Sequence, residues 1–436
     1  MSKPTLNTIY NENCLNTMAR MPDEFVDSIV TDPPYGLSFM GKKWDYEVPS
    51  VDIWKECLRV LKPGGYLLSF AGTRTQHRMA CNIEDAGFEI RDMIAWVYGQ
   101  GFPKSLNIGI AVDKLQGNER EVVGISAGVG GENLNKLARE NGNDDGNAKS
   151  CGAYGKGAKQ TPIEINITRG TSKWEGWGTA LKPALEPITV ARKPLSENTV
   201  AKNVLKWGCG GINIDVSRVK TNNFIGRDST EYEKQSEGWG LNSINKQSNS
   251  LGRFPANFIH DGSDEVVSLF PNTKSGGGNK ANIQPKNRDS QVPSTINGGA
   301  WTVNEGSAAR FFYCAKASKA ERNRGCEELG KKIGGGMKGT EDKTLLTGSG
   351  NIRNNLMKNN HATVKPIALM QYLIKLVTPE NGIVLDPFMG SGTTGIACVV
   401  DNFNFIGCEL SKEYCDIARE RINNELAQFK LFEGLK

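Results

Sequence analysis

The chain has 436 residues, of which 38% are apolar, and a formal net charge of +5. This length allows two domains, or one large domain with a sizeable insertion. No stretch of about eighteen successive apolar residues is present, which argues against a transmembrane helix, and the N-terminus lacks the apolar segment of a signal peptide, so we expect a cytoplasmic protein. The mild positive charge is compatible with a polyanionic partner but does not require one.

The first segment, residues 8–115, alternates between apolar runs typical of buried strands and amphipathic stretches typical of helices. This alternation predicts an α/β fold with a parallel sheet. The predicted strands are residues 25–32, 66–70 and 88–97, and the predicted helices are residues 51–61 and about 74–87.

The sequence TDPPYG, residues 31–36, follows the first predicted strand. Two prolines cannot continue a hydrogen-bonded ladder, so the chain must leave the sheet here with carbonyl groups that no neighbouring strand satisfies. An acid, free carbonyls and an aromatic ring are thereby held at the end of a strand, which indicates a functional site.

The middle segment, residues 116–360, is rich in Gly, Asn, Ser and Lys and contains short apolar islands at residues 180–194, 252–261 and 309–317. We expect a loop-rich insertion here and assign no role to the islands. Trp174 and Trp177 are predicted to anchor the core of this insertion, with base stacking as the alternative.

The final segment, residues 361–436, returns to a regular pattern of helix (about 365–378), strand, Gly-rich turn, helix, strand and helix. The first and final segments therefore look like two halves of one sheet, with the middle segment as an insertion. We therefore predict a catalytic half at 1–115, an insertion at 116–360 and a cofactor-binding half at 361–436.

The sequence DPFMGSGTT, residues 386–394, lies at a strand-to-helix turn where backbone N–H groups can approach a ligand. An acid after the next strand, Glu409, is placed to meet the ribose hydroxyls of an adenosine ligand. An aspartate inside such a turn repels phosphate and favours an ammonium group, which selects an amino-acid-bearing nucleoside over a dinucleotide. The predicted cofactor-binding residues of these two stretches are Asp386, Pro387, Phe388, Gly390, Ser391, Gly392, Thr393, Glu409 and Leu410.

No metal site is predicted, because the ten cysteines form no CxxC pair and only three histidines are present. The cysteines are expected to be free buried thiols and the histidines, including His361, to be structural.

Together, TDPPYG, HATVKP (361–366) and DPFMGSGTT resemble the motifs of S-adenosylmethionine-dependent DNA amino-methyltransferases of the β group, specifically adenine-N6 enzymes similar to those of phages and prophages. The likeness covers the two ends of the chain, and the order of catalytic motif, variable region and cofactor motif is the permuted order of that group. It implies a Rossmann-like, mostly parallel, seven-stranded sheet with a target-recognition insertion, S-adenosylmethionine as cofactor, double-stranded DNA as substrate and no metal. Members are often dimers, so the resemblance allows a homodimer.

The resemblance also assigns roles to particular residues. Asp32 and the carbonyl of Pro33 would accept the two N–H bonds of the target amine, Pro34 would stiffen the loop and Tyr35 would stack on a base flipped out of the duplex. Asp32 is also expected to bind the cofactor. Asn13 stands where family members usually carry an acid that contacts the cofactor's adenine.

Several alternatives stay open at this stage. Thr363 and Lys365 either contact the methionine carboxylate of the cofactor or cap the helix that follows. Trp44, with Lys42 and Lys43, touches the DNA backbone, closes over the site or belongs to a solvated loop. Cytosine N4 is the nearest rival substrate, because the same acceptors serve any exocyclic amine. RNA or protein-glutamine methylation, and a DNA-binding protein that has lost catalysis, compete more distantly.

Overall fold

The computed structural model describes residues 2–37, 43–99, 101, 105–127, 164–220, 252–275, 304–315, 321–327, 329, 332–333, 356–361 and 363–433. These residues form two compact units. The first unit contains described residues within 1–100, 184–330 and 361–436, and the second contains described residues within 101–183 and 331–360.

The strands of the described residues are short, and most of them belong to one sheet. Their bounds are β1 Thr8–Tyr10, β2 Val26–Thr31, β3 Leu61–Phe70, β4 Glu89–Val97, β5 Glu121–Ala127, β6 Glu164–Arg169, β7 Leu185–Arg192, β8 Phe258–His260, β9 Asn272–Ser275, β10 Asn304–Ser307, β11 Tyr313–Cys314, β12 Lys332–Ile333, β13 Leu356–Met357, β14 Ile383–Asp386 and β15 Asn404–Cys408.

The helices follow the predicted positions closely in the first and last segments. Their bounds are α1 Cys14–Met18, α2 Val51–Val60, α3 Gln76–Asp85, α4 Ile108–Gln116, α5 Val200–Trp207, α6 Asp264–Val267, α7 Ile367–Val377, α8 Thr393–Val400 and α9 Lys412–Glu433.

The first unit is built on a nine-stranded sheet in the order β1-β15-β14-β2-β3-β7-β4-β8-β11. Among the described strands of this sheet only β7 runs antiparallel to its neighbours, β3 and β4. The predicted mostly parallel α/β fold is therefore confirmed. The sheet has two strands more than the seven expected, because β8 and β11 extend its edge beyond β4.

The apolar islands of the middle segment explain this difference. We expected residues 116–360 to form a single insertion outside the sheet, but β7, β8 and β11 all come from that segment and join the sheet. Residues 187–192 of β7 are buried without alternation, as in a central strand covered on both faces. The part of the middle segment that lies outside the first unit is thus smaller than expected.

Two apolar clusters cover the two faces of the sheet. Successive residues of β2 point to opposite sides, so Ile29 packs in one cluster with Trp54 of α2 and Met79 of α3, whereas Val30 packs in the other with Leu373 of α7. The sheet is therefore the middle layer of three, which is the arrangement that places parallel strand ends along one open edge.

The second unit, taken by itself, contains α4, an antiparallel pair of β5 with β6, and a short pair of β12 with β13. Arg120 joins its parts, because the guanidinium contacts Asp113 and lies 2.8 Å from Glu175 Oε1. Trp174 and Trp177 were expected in a core, but they are 37% and 59% exposed and pack edge to face on each other at 5.0 Å.

Within the described part of the chain, no helix is both long and apolar enough to cross a membrane.

The position of β7 predicts a large stability effect for a residue that the sequence placed in an insertion. Ile188 of β7 is fully buried, so Ile188→Ala should lower the free energy of unfolding by about 2–5 kcal/mol. Leu205→Ala, at a site 89% exposed on α5, should change it by less than about 0.5 kcal/mol. Urea denaturation of both variants measures the difference, and equal effects would contradict the central place of β7.

Candidate functional site

The two predicted motifs lie side by side because their strands are neighbours. TDPPYG follows β2 and DPFMGSGTT follows β14, and these parallel strands pair with Leu385 opposite Ile29. The hydroxyl of Thr31 donates to Asp386 Oδ1 at 2.6 Å, which joins the two motifs directly. The carboxyl ends of these parallel strands therefore bring the two motifs to one edge of the sheet.

The turn after β14 has the shape of a ligand cradle. Gly390 and Gly392 have φ of 54° and 85°, in the left-handed region that favours glycine. Side chains at these positions would also clash, because a Cβ would lie 2.9 Å from His361 Nε2 and 2.9 Å from Ala418 Cβ. Gly392 is the N-cap of α8, so backbone N–H groups at the helix start face the turn.

Asp386 holds this turn from beneath. Its side chain is 2% exposed, and Oδ1 accepts from Thr31 and from the backbone N–H of Phe388 while Oδ2 accepts from the Thr394 hydroxyl at 2.5 Å. Burial raises the pKa of Asp386 to about 6, against the three hydrogen bonds that lower it. Contact between this carboxylate and a ligand ammonium group stays a prediction, whereas its support of the turn is visible.

Glu409 closes the other side of the cradle. Oε2 accepts from the backbone N–H of Gly390 at 2.9 Å and Oε1 accepts from that of Ser411 at 2.7 Å. Each carboxylate oxygen has a second lone pair for another donor. Burial raises the pKa of Glu409 to about 7, in opposition to these backbone hydrogen bonds.

The remaining predicted cofactor residues lie around this cradle with different exposures. Ser391 and Thr393 are buried and contact the guanidinium of Arg421 from α9, at 3.1 and 3.4 Å from their hydroxyls. Pro387 is buried, Phe388 is half-buried and Leu410 is 71% exposed. Sequence reasoning missed Arg421, since an arginine in a polar helix carries no local signal for burial.

Asn13 follows β1, at the sheet edge next to β15. Its side-chain carbonyl accepts from the backbone N–H of Leu15 at 3.0 Å and so caps α1. One lone pair of the amide oxygen is thus used within the protein, which leaves its second lone pair and its NH₂ group for the predicted contact with adenine of a cofactor.

The loop after β2 is fixed by a residue that the sequence did not single out. Asp45 is buried, and its carboxylate accepts from the backbone N–H groups of Tyr35 at 2.6 Å, Gly36 at 3.0 Å and Leu37 at 3.3 Å. Within the described residues, the carbonyl of Pro33 takes no backbone hydrogen bond, as predicted from the two prolines.

Asp32 lies at the centre of a cluster of charged side chains. Lys365 Nζ is 2.6 Å from Asp32 Oδ2 and 3.2 Å from Glu186 Oε2, and the Tyr35 hydroxyl is 2.7 Å from Asp32 Oδ1 and 3.0 Å from Glu186 Oε2. Burial lowers the pKa of Lys365, but attraction to Asp32 and Glu186 outweighs it and the pKa is raised. Lys365 is thus held as a buried ammonium group.

This geometry changes the interpretation of HATVKP. The helix α7 begins after Pro366 with no side-chain cap, so neither Thr363 nor Lys365 serves as a cap. The Thr363 carbonyl accepts instead from His361 Nδ1 at 2.6 Å. His361, expected to be merely structural, lies over the cradle at Gly390, and burial lowers its pKa to about 4.

Glu186 is the functional candidate that the sequence analysis missed. It lies in the island at 180–194, to which no role was assigned, near the start of β7. Because β7 runs antiparallel, its beginning lies at the edge where the parallel strands end. The available signal in the sequence was an isolated carboxylate, Glu186, directly before Pro187 within an apolar island.

Trp44 is 37% exposed, and its ring faces that of His361 at 6.4 Å. Lys42 and the side chain of Lys43 lie outside the described residues. No group of three or more potential metal ligands occurs among the residues that the structure describes.

Comparison with known proteins gives relatives that are methyltransferases. The chain is 46% identical over 74 residues to the orphan methyltransferase M.BamHII of Bacillus amyloliquefaciens, which is 17% of this chain and 28% of that one. It is 34% identical over 117 residues to the type II methyltransferase M2.LlaDCHI of Lactococcus lactis subsp. cremoris, which is 27% of this chain and 42% of that one. The aligned segments thus span less than half the length of these curated relatives.

Solved structures align over most of the chain at low identity. The M1.HpyAVI-SAM complex is 16% identical with a TM-score of 0.36, and the alignment covers 95% of this chain and 98% of that one. The cytosine-N4-specific PvuII DNA methyltransferase is 13% identical with a TM-score of 0.41, over 96% of this chain and 89% of that one.

The family model N6_N4_Mtase, described as DNA methylase, matches residues 26–115 and 199–420, which is well over half of the chain and includes both motifs of the site. This chain therefore belongs to the N6/N4 DNA methylase family.

Proposed function

We propose that this protein transfers a methyl group from S-adenosylmethionine to the N6 amine of adenine within a short sequence of double-stranded DNA. The observation that carries the proposal is the juxtaposition of Asp32, the Pro33 carbonyl and the Gly390–Glu409 cradle at one sheet edge. Family membership supports methyl transfer to DNA. The order of the motifs supports the β group.

The cradle fits a nucleoside that bears an amino acid. Glu409 keeps a lone pair on each oxygen for ribose hydroxyls, and the glycines let the backbone approach the ligand. Polar and charged groups at the turn favour an amino-acid moiety over a phosphate chain. S-adenosylmethionine supplies a methyl group on a positively charged sulfur.

The protein's own contribution is to hold the target amine. The amine of adenine is a weak nucleophile because its lone pair is delocalised into the ring. Asp32 and the Pro33 carbonyl are acceptors with no competing proton of their own, so they take the two N–H bonds and orient the nitrogen. Asp45 keeps these acceptors in one geometry through three backbone N–H bonds. Tyr35 offers a ring for a flipped base, with stacking of about 1–3 kcal/mol.

The same acceptors suit the N4 amine of cytosine, and the family includes enzymes for both amines. Asp32, rather than a serine, before Pro-Pro-Tyr favours adenine by resemblance.

Single-molecule sequencing of DNA from a methylation-free host that expresses the chain tests this function. Methyl-adenine at one recurring short sequence is expected, with Asp32→Ala as the inactive control. Detection of methyl-cytosine instead would support the same mechanism with cytosine, not adenine, as the target base. Unmodified DNA together with intact binding of S-adenosylmethionine would refute the proposed transfer and favour a DNA-binding protein without activity.

Two alanine substitutions should separate transfer from cofactor binding. Asp32→Ala removes the acceptor for the amine while Lys365 retains Glu186, so transfer should be lost and the Kd for S-adenosylmethionine should stay within about threefold. Asp386→Ala leaves three donors beneath the cradle without an acceptor, so that Kd should rise about tenfold or more. Calorimetric titration measures both values, and an equal rise in the two variants would contradict this division of roles.

Binding of S-adenosylmethionine should depend on pH through Glu409. Its raised pKa, about 7, means that the carboxyl is largely protonated in the free protein below that pH. A ligand that prefers the ionised form must displace this proton, so the Kd should fall as the pH rises, by up to about tenfold per unit, between about pH 5.5 and pH 7.5.

Glu409→Gln is the control for this dependence, because glutamine keeps the shape and cannot ionise. The variant should bind more weakly, with a Kd that is nearly constant over the same range. A wild-type Kd that does not change with pH would show that ionised Glu409 does not take part in binding.

A further inference from the structure

Both oxygens of the Asp32 carboxylate are engaged inside the protein. Lys365 Nζ lies 2.6 Å from Oδ2, and the Tyr35 hydroxyl lies 2.7 Å from Oδ1. A target amine that donates to Asp32 meets these two donors in competition for the same carboxylate. Each oxygen keeps a second lone pair that the amine can use, but the nearby ammonium and hydroxyl protons draw charge from the carboxylate and weaken it as an acceptor. The amine is therefore held most strongly when at least one of these donors moves away.

The two competing donors share a second acceptor. Glu186 Oε2 is 3.0 Å from the Tyr35 hydroxyl and 3.2 Å from Lys365 Nζ. The hydroxyl has a single proton, so rotation about its C–O bond moves the hydrogen bond from Asp32 to Glu186 without movement of the ring. The ammonium group needs only a small shift of Nζ to make the same exchange.

Burial makes this second acceptor necessary for Lys365. The residue is 6% exposed, and its ammonium lies 4.9 Å from the centre of the Phe70 ring and 5.5 Å from that of Tyr35. A buried ammonium cannot leave its only carboxylate without a large penalty. With Glu186 beside it, Lys365 keeps a charged partner while Asp32 turns to the substrate.

We propose that Glu186 is a positioning residue that receives Lys365 and Tyr35 when the target amine takes Asp32. This inference rests on the proposed methyl transfer and adds to it a residue outside the motifs. In the free site Asp32 is paired with Lys365 and Tyr35. Glu186 lets both of them exchange Asp32 for another carboxylate.

The charges of the cluster give a sharp test. Asp32, Glu186 and Lys365 together carry one net negative charge. Glu186→Gln leaves Lys365 with Asp32 as its only charged partner, and Lys365→Met leaves two adjacent carboxylates without a cation. The double variant Glu186→Gln/Lys365→Met restores the single net negative charge and leaves Asp32 without a competing ammonium.

We expect kcat/KM for DNA to fall about tenfold to a hundredfold in Glu186→Gln, the effect of one hydrogen bond to a charged group. The double variant should be more active than either single variant. Glu89→Gln is the matched control, since Glu89 also pairs with a buried cation of this sheet, Arg192, at 2.6 Å, but away from Asp32. It should retain activity within about twofold.

A second measurement separates positioning from a general structural effect. Once sequencing has given the recognition site, a duplex with 2-aminopurine at the target position reports base flipping by fluorescence. That base lacks the amine at C6 and does not need Asp32. Glu186→Gln should therefore flip 2-aminopurine as well as the wild type does, while its methylation of adenine falls.

Three outcomes would overturn the inference. The first is that Glu186→Gln is as active as Glu89→Gln, and the second is that the loss of activity in the double variant equals the product of the losses in the two single variants. The third is that Glu186→Gln loses base flipping and methyl transfer to the same extent. If Glu186→Gln does not fold, the comparison of Lys365→Met with the double variant decides by the presence or absence of rescue. A wild-type protein that modifies no DNA would instead refute the proposed function itself.

Discussion

The hydrogen bond from Thr31 to Asp386 is the constraint on which the candidate site depends. It joins the last residues of two parallel neighbours, β2 and β14, and so fixes the loop with Asp32 relative to the glycine turn. Transfer chemistry between two bound molecules gains most of its acceleration from orientation, so this relative position matters more than the strength of any one contact. Both groups are buried, which keeps water from competing for the bond.

Much of this arrangement could be predicted from local sequence. The strands before Asp32 and Asp386 are largely apolar runs that are each followed by Asp-Pro. The rule that parallel strands share a carboxyl edge then brings the two motifs together. The cradle followed in the same way, because Gly390 and Gly392 need backbone conformations that other residues rarely adopt. These features depend on a few neighbouring residues, and sequence periodicity reports them well.

The parts that could not be predicted depend on contacts between distant segments. Glu186 is 151 residues from Tyr35 in the sequence, yet the two side chains form a hydrogen bond. Its strand, β7, is a short apolar island within a polar region, and nothing in its composition states that it enters the middle of the sheet in the opposite direction. Asp45 and Arg421 show the same limit, since their function is to satisfy backbone groups of loops whose shape the sequence does not specify.

The antiparallel direction of β7 also explains why Glu186 was missed. The rule that parallel strands end at one edge of a sheet predicts which strand ends lie beside Asp32, but it does not predict that β7 starts there. A parallel strand at this position would place its final residues, not its first ones, beside Asp32. Because β7 runs antiparallel, it brings Glu186 to the edge that holds Asp32 and brings Arg192 to the opposite edge, where Arg192 pairs with Glu89. One strand thus carries a carboxylate for the site and a cation for the remote end, and the net negative charge of the site follows from the direction of that strand. A net negative charge suits an amine as the methyl acceptor. Its nitrogen gains positive charge as the bond to the methyl carbon forms, and then loses a proton. The surrounding carboxylates stabilise that positive charge.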